Sequence, residues 1–347
     1  ATVETLDIFF KKIKSELSPF IKEVTEHEID EKVKENLNKF KELTFDIDKQ
    51  KEFSKYIAEL IGFDFYKGVI KESEHPFTLN FNNKDVRITT HYYEKNILSS
   101  IFSTIHEGGH AIYEQQIDDI VSETVLGEGT SMGIHESQSR IFENMFGRNI
   151  NFLKNIFNKF DELFDVRSKG IEVEDFYKIV NTVSKSLIRI EADELTYPIH
   201  IMIRYELEKE IFSNLDETES SEYIDYLANK WADMYEEFLG VRPTTNSEGI
   251  LQDVHWSSGL FGYFPSYALG SAYAAQIYNS MNKEFSIEEN LSNGNFDNIN
   301  SFLKDKIHKF GKSKTPNELL ILATGEAFNP DYYINYLKEK YRKIYGI

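Results

Sequence analysis

His106 and His110 stand four residues apart in the run Ser103-Thr104-Ile105-His106-Glu107-Gly108-Gly109-His110-Ala111-Ile112-Tyr113, and no other feature constrains the chain more. On a helix the two imidazoles lie one turn apart and face the same way. One divalent ion can then take a nitrogen from each. Glu107 is offset around the helix, so its carboxylate faces a water held by that ion rather than the ion itself. A metal of this kind lowers the pKa of the water, and Glu107 can take its proton and deliver it to a leaving amine. A chance match on a surface helix occurs on the order of once per hundred chains of this length. Gly108 and Gly109 argue against chance. Inside a helix each costs about 1 kcal/mol relative to alanine, a cost that calls for something packed closely against them.

The donor chemistry is narrowed by composition. The 347 residues contain no cysteine, so disulfides and thiolate ligands are excluded and only His, Asp and Glu can hold a transition metal. The formal charge is -19, from 39 basic and 58 acidic residues, which repels nucleic-acid backbones. No apolar run reaches membrane-spanning length and no signal peptide opens the chain, so a cytoplasmic protein with no membrane or nucleic-acid partner is expected. A hydrophobic fraction of 41% suffices for one large helical domain, or two lobes sharing a core.

Helical periodicity dominates. Leu6, Phe9, Phe10, Ile13, Leu17, Phe20, Ile21 and Val24 recur at spacings of three and four, with Pro19 placed to divide or kink the helix. Further helix is predicted over 30–43 and 47–72, and from about Glu94 nearly to the end, with a kink at Pro198. The exceptions are a hairpin, Phe77–Phe81 with Asp85–Thr90, and a long loop at Gly240–Gly262. An edge strand of the hairpin, directly before the histidine helix, could hold an extended peptide.

A catalytic zinc site needs a third protein ligand. A histidine six residues past His110 would supply it in one zinc-peptidase pattern, but that position is Gln116. The gluzincin pattern takes a glutamate from a later helix. The stretch Gly133–Arg140 offers Glu136, while Glu123, Glu128, His135 and Glu143 compete by spacing alone.

At this point the chain resembles the M32 metallocarboxypeptidases, the carboxypeptidase Taq family. His75-Pro76-Phe77 matches the family's HPF, Asp85–Thr89 its DxRxT and His106–His110 its HExxH. His135–Gln138 matches HES-Q, Ile188–Asp193 matches IRxxAD and Gly249–Trp256 matches GxxQDxHW. The resemblance runs from about Glu72 to the C-terminus and selects Glu136 as third ligand. It implies a mainly α, elongated gluzincin-type fold with a deep groove and one small sheet beside the active site. It also implies Zn²⁺ (Co²⁺ as a substitute), release of single residues from peptides with a free C-terminus, and a homodimer. Residues 1–347 are expected to form one catalytic domain. The family's further N-terminal helical region would be missing, leaving the groove more open.

A carboxypeptidase must bind a terminal carboxylate. Arg189 is the first candidate, because an Arg on an otherwise apolar predicted helix needs a partner; the alternative is a structural pair with Asp193. Arg87 is the second, with Asp85 as its alternative partner. His255 is the best oxyanion donor, followed by Tyr263 and Tyr267. The order of a His and then two Tyr is similar to that in peptidyl-dipeptidases of the angiotensin-converting kind. There the His and the later Tyr stabilise the intermediate, and the earlier Tyr helps hold the carboxylate. Asp253 is expected to orient His255 or a ligand histidine. His75, before Pro76, reads as architectural. His27, His91, His200 and His308 belong to no constellation. The competing readings are an oligo-endopeptidase of the same fold and a catalytically impaired metal-binding fragment.

Overall fold

The computed structural model describes residues 1–27, 30–214 and 220–347. They fall into two compact units. One gathers the N-terminal helices, Asn181–Leu269 and Ile334–Ile347; the other holds the intervening chain up to Val180 and Gly270–Tyr333. Both are mainly helical, as predicted.

In the first unit the N-terminal periodicity forms Val3–Lys12 and Ser18–Glu26, joined by a π-helical turn over Ile13–Leu17. Phe9, Phe10, Ile13, Leu17, Phe20, Ile21 and Val24 are all buried. Pro19 lies in the first turn after the π segment, where a missing N–H costs little, so the wider turn replaces the expected kink. Pro198 likewise opens helix Tyr197–Ser213 instead of kinking a longer one. The helix predicted to carry Arg189 does not form. Arg189–Glu191 is a single 3₁₀ turn. Just after it Asp193 accepts from the amides of Ser184, Leu195 and Thr196 at 2.9–3.0 Å, and side-chain bonds of this kind compete with helix. The predicted long loop is present. It begins at Gly240, a left-handed residue ending helix Ser221–Leu239, and contains only a 3₁₀ turn at Trp256–Ser258.

In the second unit the sheet has three strands, β1 (Gly68–Glu72), β2 (Thr78–Asn82) and β3 (Asp85–Thr90), in the order β1-β3-β2. β2 and β3 are the predicted hairpin, and β1 lies parallel to β3. β1 corrects the helix expected over 47–72. That helix stops at Ile61, because Gly62 turns left-handed (φ +103°) and a Cβ there would meet Asn300 Nδ2 at 2.2 Å. Val86 and Ile88 of β3 pack against Ala58, Phe63 and Ala111.

Helix Ile97–Gln115 is buried on most of its surface. A Cβ at Gly108 would lie 2.6 Å from Ile61 Cδ1, and one at Gly109 would lie 2.7 Å from the Gln138 carbonyl and 2.8 Å from Ser139 Cα. This is the close packing that the two glycines predicted. It brings helix Met132–Arg140, capped by Ser131, against the motif helix. That second helix passes into a π-helical segment, Ile141–Gly147.

Candidate metal centre

His106, His110 and Glu136 come together inside the second unit, with one ligand atom from each within 4.8 Å of the others. Glu136 Oε2 lies 3.9 Å from His106 Nε2 and 3.8 Å from His110 Nε2. These separations are too long for hydrogen bonds but suit atoms that share an ion. The opposite side of each ligand is occupied. His106 Nδ1 lies 2.8 Å from Glu143 Oε2, His110 Nδ1 lies 2.7 Å from His135 Nδ1, and Arg140 Nε donates to Glu136 Oε1 at 2.7 Å. The two Nε2 atoms and Glu136 Oε2 are therefore the atoms left facing one another. Two imidazoles and a carboxylate, each held from behind, fit a divalent transition ion.

Spacing alone left four rivals to Glu136, and the structure separates them. Glu143 and His135 stand behind the ligand histidines. Glu128 pairs with Lys312, and Glu123 caps the short helix Asp119–Ser122. Glu107 is buried, and its carboxylate accepts from the Thr78 hydroxyl of β2 at 2.6 Å. Burial raises the Glu107 pKa, with His106 and the Thr78 bond partly opposing. Burial works against charge on His106, but the Glu143 bond and the charges of Glu136 and Glu143 outweigh it, so its pKa lies above the ordinary value. His110 goes the other way: burial, then His135 and His106, hold it well below. Burial pushes Glu143 up, yet Arg140, His106 and Arg148 outweigh that and hold it below the ordinary carboxylate range.

Arg87, also in this unit, forms a two-pronged pair with Asp85, both bonds at 2.8 Å, as its structural alternative anticipated. The pair lies on the exposed side of the sheet and Arg87 rests over the Phe81 ring.

The first unit brings together Arg189, His255, Tyr263 and Tyr267. His255 Nε2 lies 3.1 Å from the Tyr267 hydroxyl, and its ring is 5.6 Å from that of Tyr263. Arg189 is buried over the Tyr267 ring at 5.1 Å. Its partner is Asp253 (2.8 and 3.0 Å), not Asp193. Asp253 orients no histidine. Its second oxygen takes Arg204, 2.7 Å away and fully buried. Gln252 joins both arginines, accepting from the Arg189 amide and the Arg204 guanidinium. One carboxylate between two guanidiniums leaves a net positive charge in the cluster. Burial pushes the His255 pKa down, and Arg189 adds to the shift.

Sequence reasoning passed over Thr78, Glu114, Arg140 and Arg204. Two of them carried a signal, since Glu114 stands one helical turn past His110 and Arg140 one turn past Glu136. His200 and His308 do have partners. His200 lies 2.9 Å from the Tyr235 hydroxyl, and His308 is clamped between Gln116 and Gln138 at 2.7 and 2.8 Å.

Residues 1–341 match the family profile described as carboxypeptidase Taq (M32) metallopeptidase, so the likeness extends well upstream of Glu72. Carboxypeptidase 1 of Bacillus subtilis is 45% identical over 99% of this chain and 67% of its own length. Thermostable carboxypeptidase 1 of Thermus thermophilus is 39% identical over 87% of this chain and 58% of its own. The crystal structure of an M32 carboxypeptidase from Deinococcus radiodurans superposes with a TM-score of 0.92 at 34% identity, over 100% of this chain and 68% of that one. The chain thus spans roughly 58–68% of the length of these relatives.

Proposed function

The chain belongs to the carboxypeptidase Taq (M32) metallopeptidase family, and from that premise we propose that it is a zinc-dependent carboxypeptidase releasing single residues from peptides with a free C-terminus. The observation that carries this reading is the convergence of His106, His110 and Glu136 on one point, with Glu107 anchored beside them by Thr78. His106, His110 and Glu136 would hold the ion. The nitrogen-rich, thiolate-free set favours Zn²⁺ and accepts Co²⁺. When bound, the ion supplies Lewis acidity toward the scissile carbonyl and the attacking water.

The chain's own groups divide the remaining work. Glu107 takes a proton at its carboxylate from the attacking water and passes it to the leaving nitrogen. Burial, by raising its pKa, suits it to both transfers. Thr78 fixes the carboxylate so that little reorientation is needed. Arg189, backed by Asp253, receives the terminal carboxylate, and Tyr263 assists. His255 and Tyr267 donate hydrogen bonds to the developing oxyanion. Arg87, on the sheet, limits how a peptide enters. All 347 residues then serve one catalytic domain, in a cytoplasmic enzyme that works as a homodimer. Among the described residues no helix is long and apolar enough to cross a membrane.

The test is a mass-resolved digest of one peptide with a free and with an amidated C-terminus, alongside metal analysis of the purified protein. Stepwise loss of single residues from the free-ended peptide alone is expected. Equal cleavage of the amidated peptide would make the chain an oligo-endopeptidase.

A further inference from the structure

The two ligand histidines are backed by different chemistry. Glu143 faces His106 directly, whereas a second imidazole stands between His110 and the nearest carboxylate behind it. His110 Nδ1 lies 2.7 Å from His135 Nδ1, and His135 Nε2 lies 2.6 Å from Glu114 Oε1. Glu114 is buried and takes two more donors: the Gly129 amide at 2.9 Å and Asn80 Nδ2, from β2, at 3.0 Å.

Hydrogen-bond inventory limits the protons along this chain to two orders. Two Nδ1 atoms at 2.7 Å must share one proton, since two would collide and none would set lone pair against lone pair. A carboxylate already accepting from two N–H groups accepts the third from His135 Nε2–H. With Nε2–H given to Glu114, a lone pair at His135 Nδ1 places the shared proton on His110 Nδ1. His110 Nε2 is left with its lone pair, and that is the atom facing Glu136. The opposite order would place a proton on His110 Nε2 and close it as a ligand.

The surroundings are built to hold His135 in this pose. A Cβ at Gly129 would lie 2.5 Å from His135 Cδ2 and 2.8 Å from Tyr113 Cε1, so only glycine lets the backbone lie this close. The Tyr113 ring packs 4.9 Å from that of His135, and its hydroxyl is pinned by the Thr130 amide at 3.1 Å. There is an electrostatic reason for the interposed ring. Glu107, Glu136 and Glu143 already crowd the centre with negative charge, and the relay keeps Glu114 one imidazole farther away.

We propose that His135 and Glu114 form a positioning relay that sets the tautomer and orientation of His110, and through them the metal affinity of the centre. This rests on the reading of His106, His110 and Glu136 as ligands. Neither relay residue touches the reacting atoms, so the deciding readout is binding rather than turnover.

The test measures Zn²⁺ dissociation constants by competition with a chromophoric chelator for the unaltered protein, His135→Leu, His135→Gln and His110→Ala, with the thermal midpoint of each metal-free form. His135→Leu should weaken Zn²⁺ binding roughly 10–100-fold, the usual range for such outer partners. His135→Gln, whose amide oxygen can accept from His110 Nδ1–H, should recover most of the loss even if its metal-free midpoint falls as far as that of His135→Leu. Wild-type affinity in His135→Leu, with loss in His110→Ala, overturns the relay alone. Wild-type affinity in His110→Ala overturns the ligand reading beneath it. Should His135→Leu not fold, ¹⁵N NMR of the Zn²⁺-loaded unaltered protein decides. A proton on His110 Nδ1 and none on His135 Nδ1 supports the relay, and the reverse overturns it.

Discussion

Glu107 and Arg189 illustrate how a side chain's surroundings determine the effect of its removal. Glu107 is not among the three converging ligands, and Thr78 holds it from the strand side. Glu107→Gln should therefore keep stoichiometric metal, by elemental analysis, while kcat falls roughly 10²–10⁴-fold, the usual value of a general base. Loss of metal along with turnover would mean that Glu107 is a ligand. Arg189 reaches Asp253 with Nε and Nη2, while among the described residues Nη1 has only a long contact of 3.4 Å to the Tyr197 hydroxyl. A charge-assisted bond to a terminal carboxylate contributes about 1.5–3 kcal/mol. Arg189→Ala and amidation of the peptide should then each lower kcat/KM by roughly tenfold to a hundredfold, and together by little more, because both delete one interaction. If instead Arg87→Ala shows that non-additivity, Arg87 is the carboxylate's partner.

Two arrangements of elements carry predictions of their own. Gly109 lets the motif helix touch the helix bearing Glu136, so closely that a Cβ on it would lie only 2.7 Å from the Gln138 carbonyl. Alanine would gain about 1 kcal/mol of helix propensity. The clash is with backbone, which cannot swing aside, and overpacking of this kind costs typically about 1–3 kcal/mol. Sterics should win, so Gly109→Ala is expected to lower both the urea midpoint and the Zn²⁺ affinity; a gain in stability would show that the helices can part freely. Asp253 ties the Gly240–Gly262 loop to helix Tyr197–Ser213 through Arg204 and to the Arg189 turn. Burial pushes its pKa up, but Arg204 and Arg189 outweigh that and hold it below the ordinary carboxylate range. Asp253→Ala strands two buried guanidiniums, and losses of about 3–5 kcal/mol are usual when one member of a buried pair is removed. A denaturant titration should show a loss on that scale.

Over the whole molecule, histidines buried without charge make stability depend on pH. Burial holds His200 and His308 well below their ordinary value of 6.5, with Arg204 adding to the effect on His200 and His135 to that on His308. The unfolded chain protonates these imidazoles near pH 6.5 while the folded chain does not, so protons favour unfolding. Their contribution is complete above that pH and is lost as the pH falls toward the folded pKa. Each adds a slope of up to about 1.4 kcal/mol per pH unit in that window. His110 and His255, also lowered by burial, add to the trend, while His106, raised by Glu143 and Glu136 against its burial, opposes it in the same window; Glu107, Glu208 and Asp193, raised chiefly by burial, oppose it at lower pH. The metal-free protein should therefore lose urea resistance between about pH 7 and 5, and His308→Gln should flatten that dependence. An unchanged slope in His308→Gln would show that His308 is charged in the folded state.

Whatever depends on spacing along one element was legible in the residues alone. The His-x-x-x-His turn, the offset of Glu107, the β2–β3 hairpin and the amphipathic N-terminal helices all follow from the periods of helix and strand. The paired glycines announced a close neighbour without naming it. Contacts between distant segments followed only from the fold. Glu136, Glu143 and His135 were equivalent by spacing, and the packing of Gly109 against Gln138 and Ser139 and of Gly270 against Glu136 turned one toward the histidine nitrogens, with the other two behind them. Arg189 found Asp253, 64 residues away, instead of the nearby Asp193, because Asp193 was already engaged by backbone amides. β1 lay in a stretch whose helical reading Gly62 and Gly68 both interrupted, and pairing with β3 made it a strand. A local pattern fixes which way a side chain points, but its partner is set by which surfaces the fold buries together.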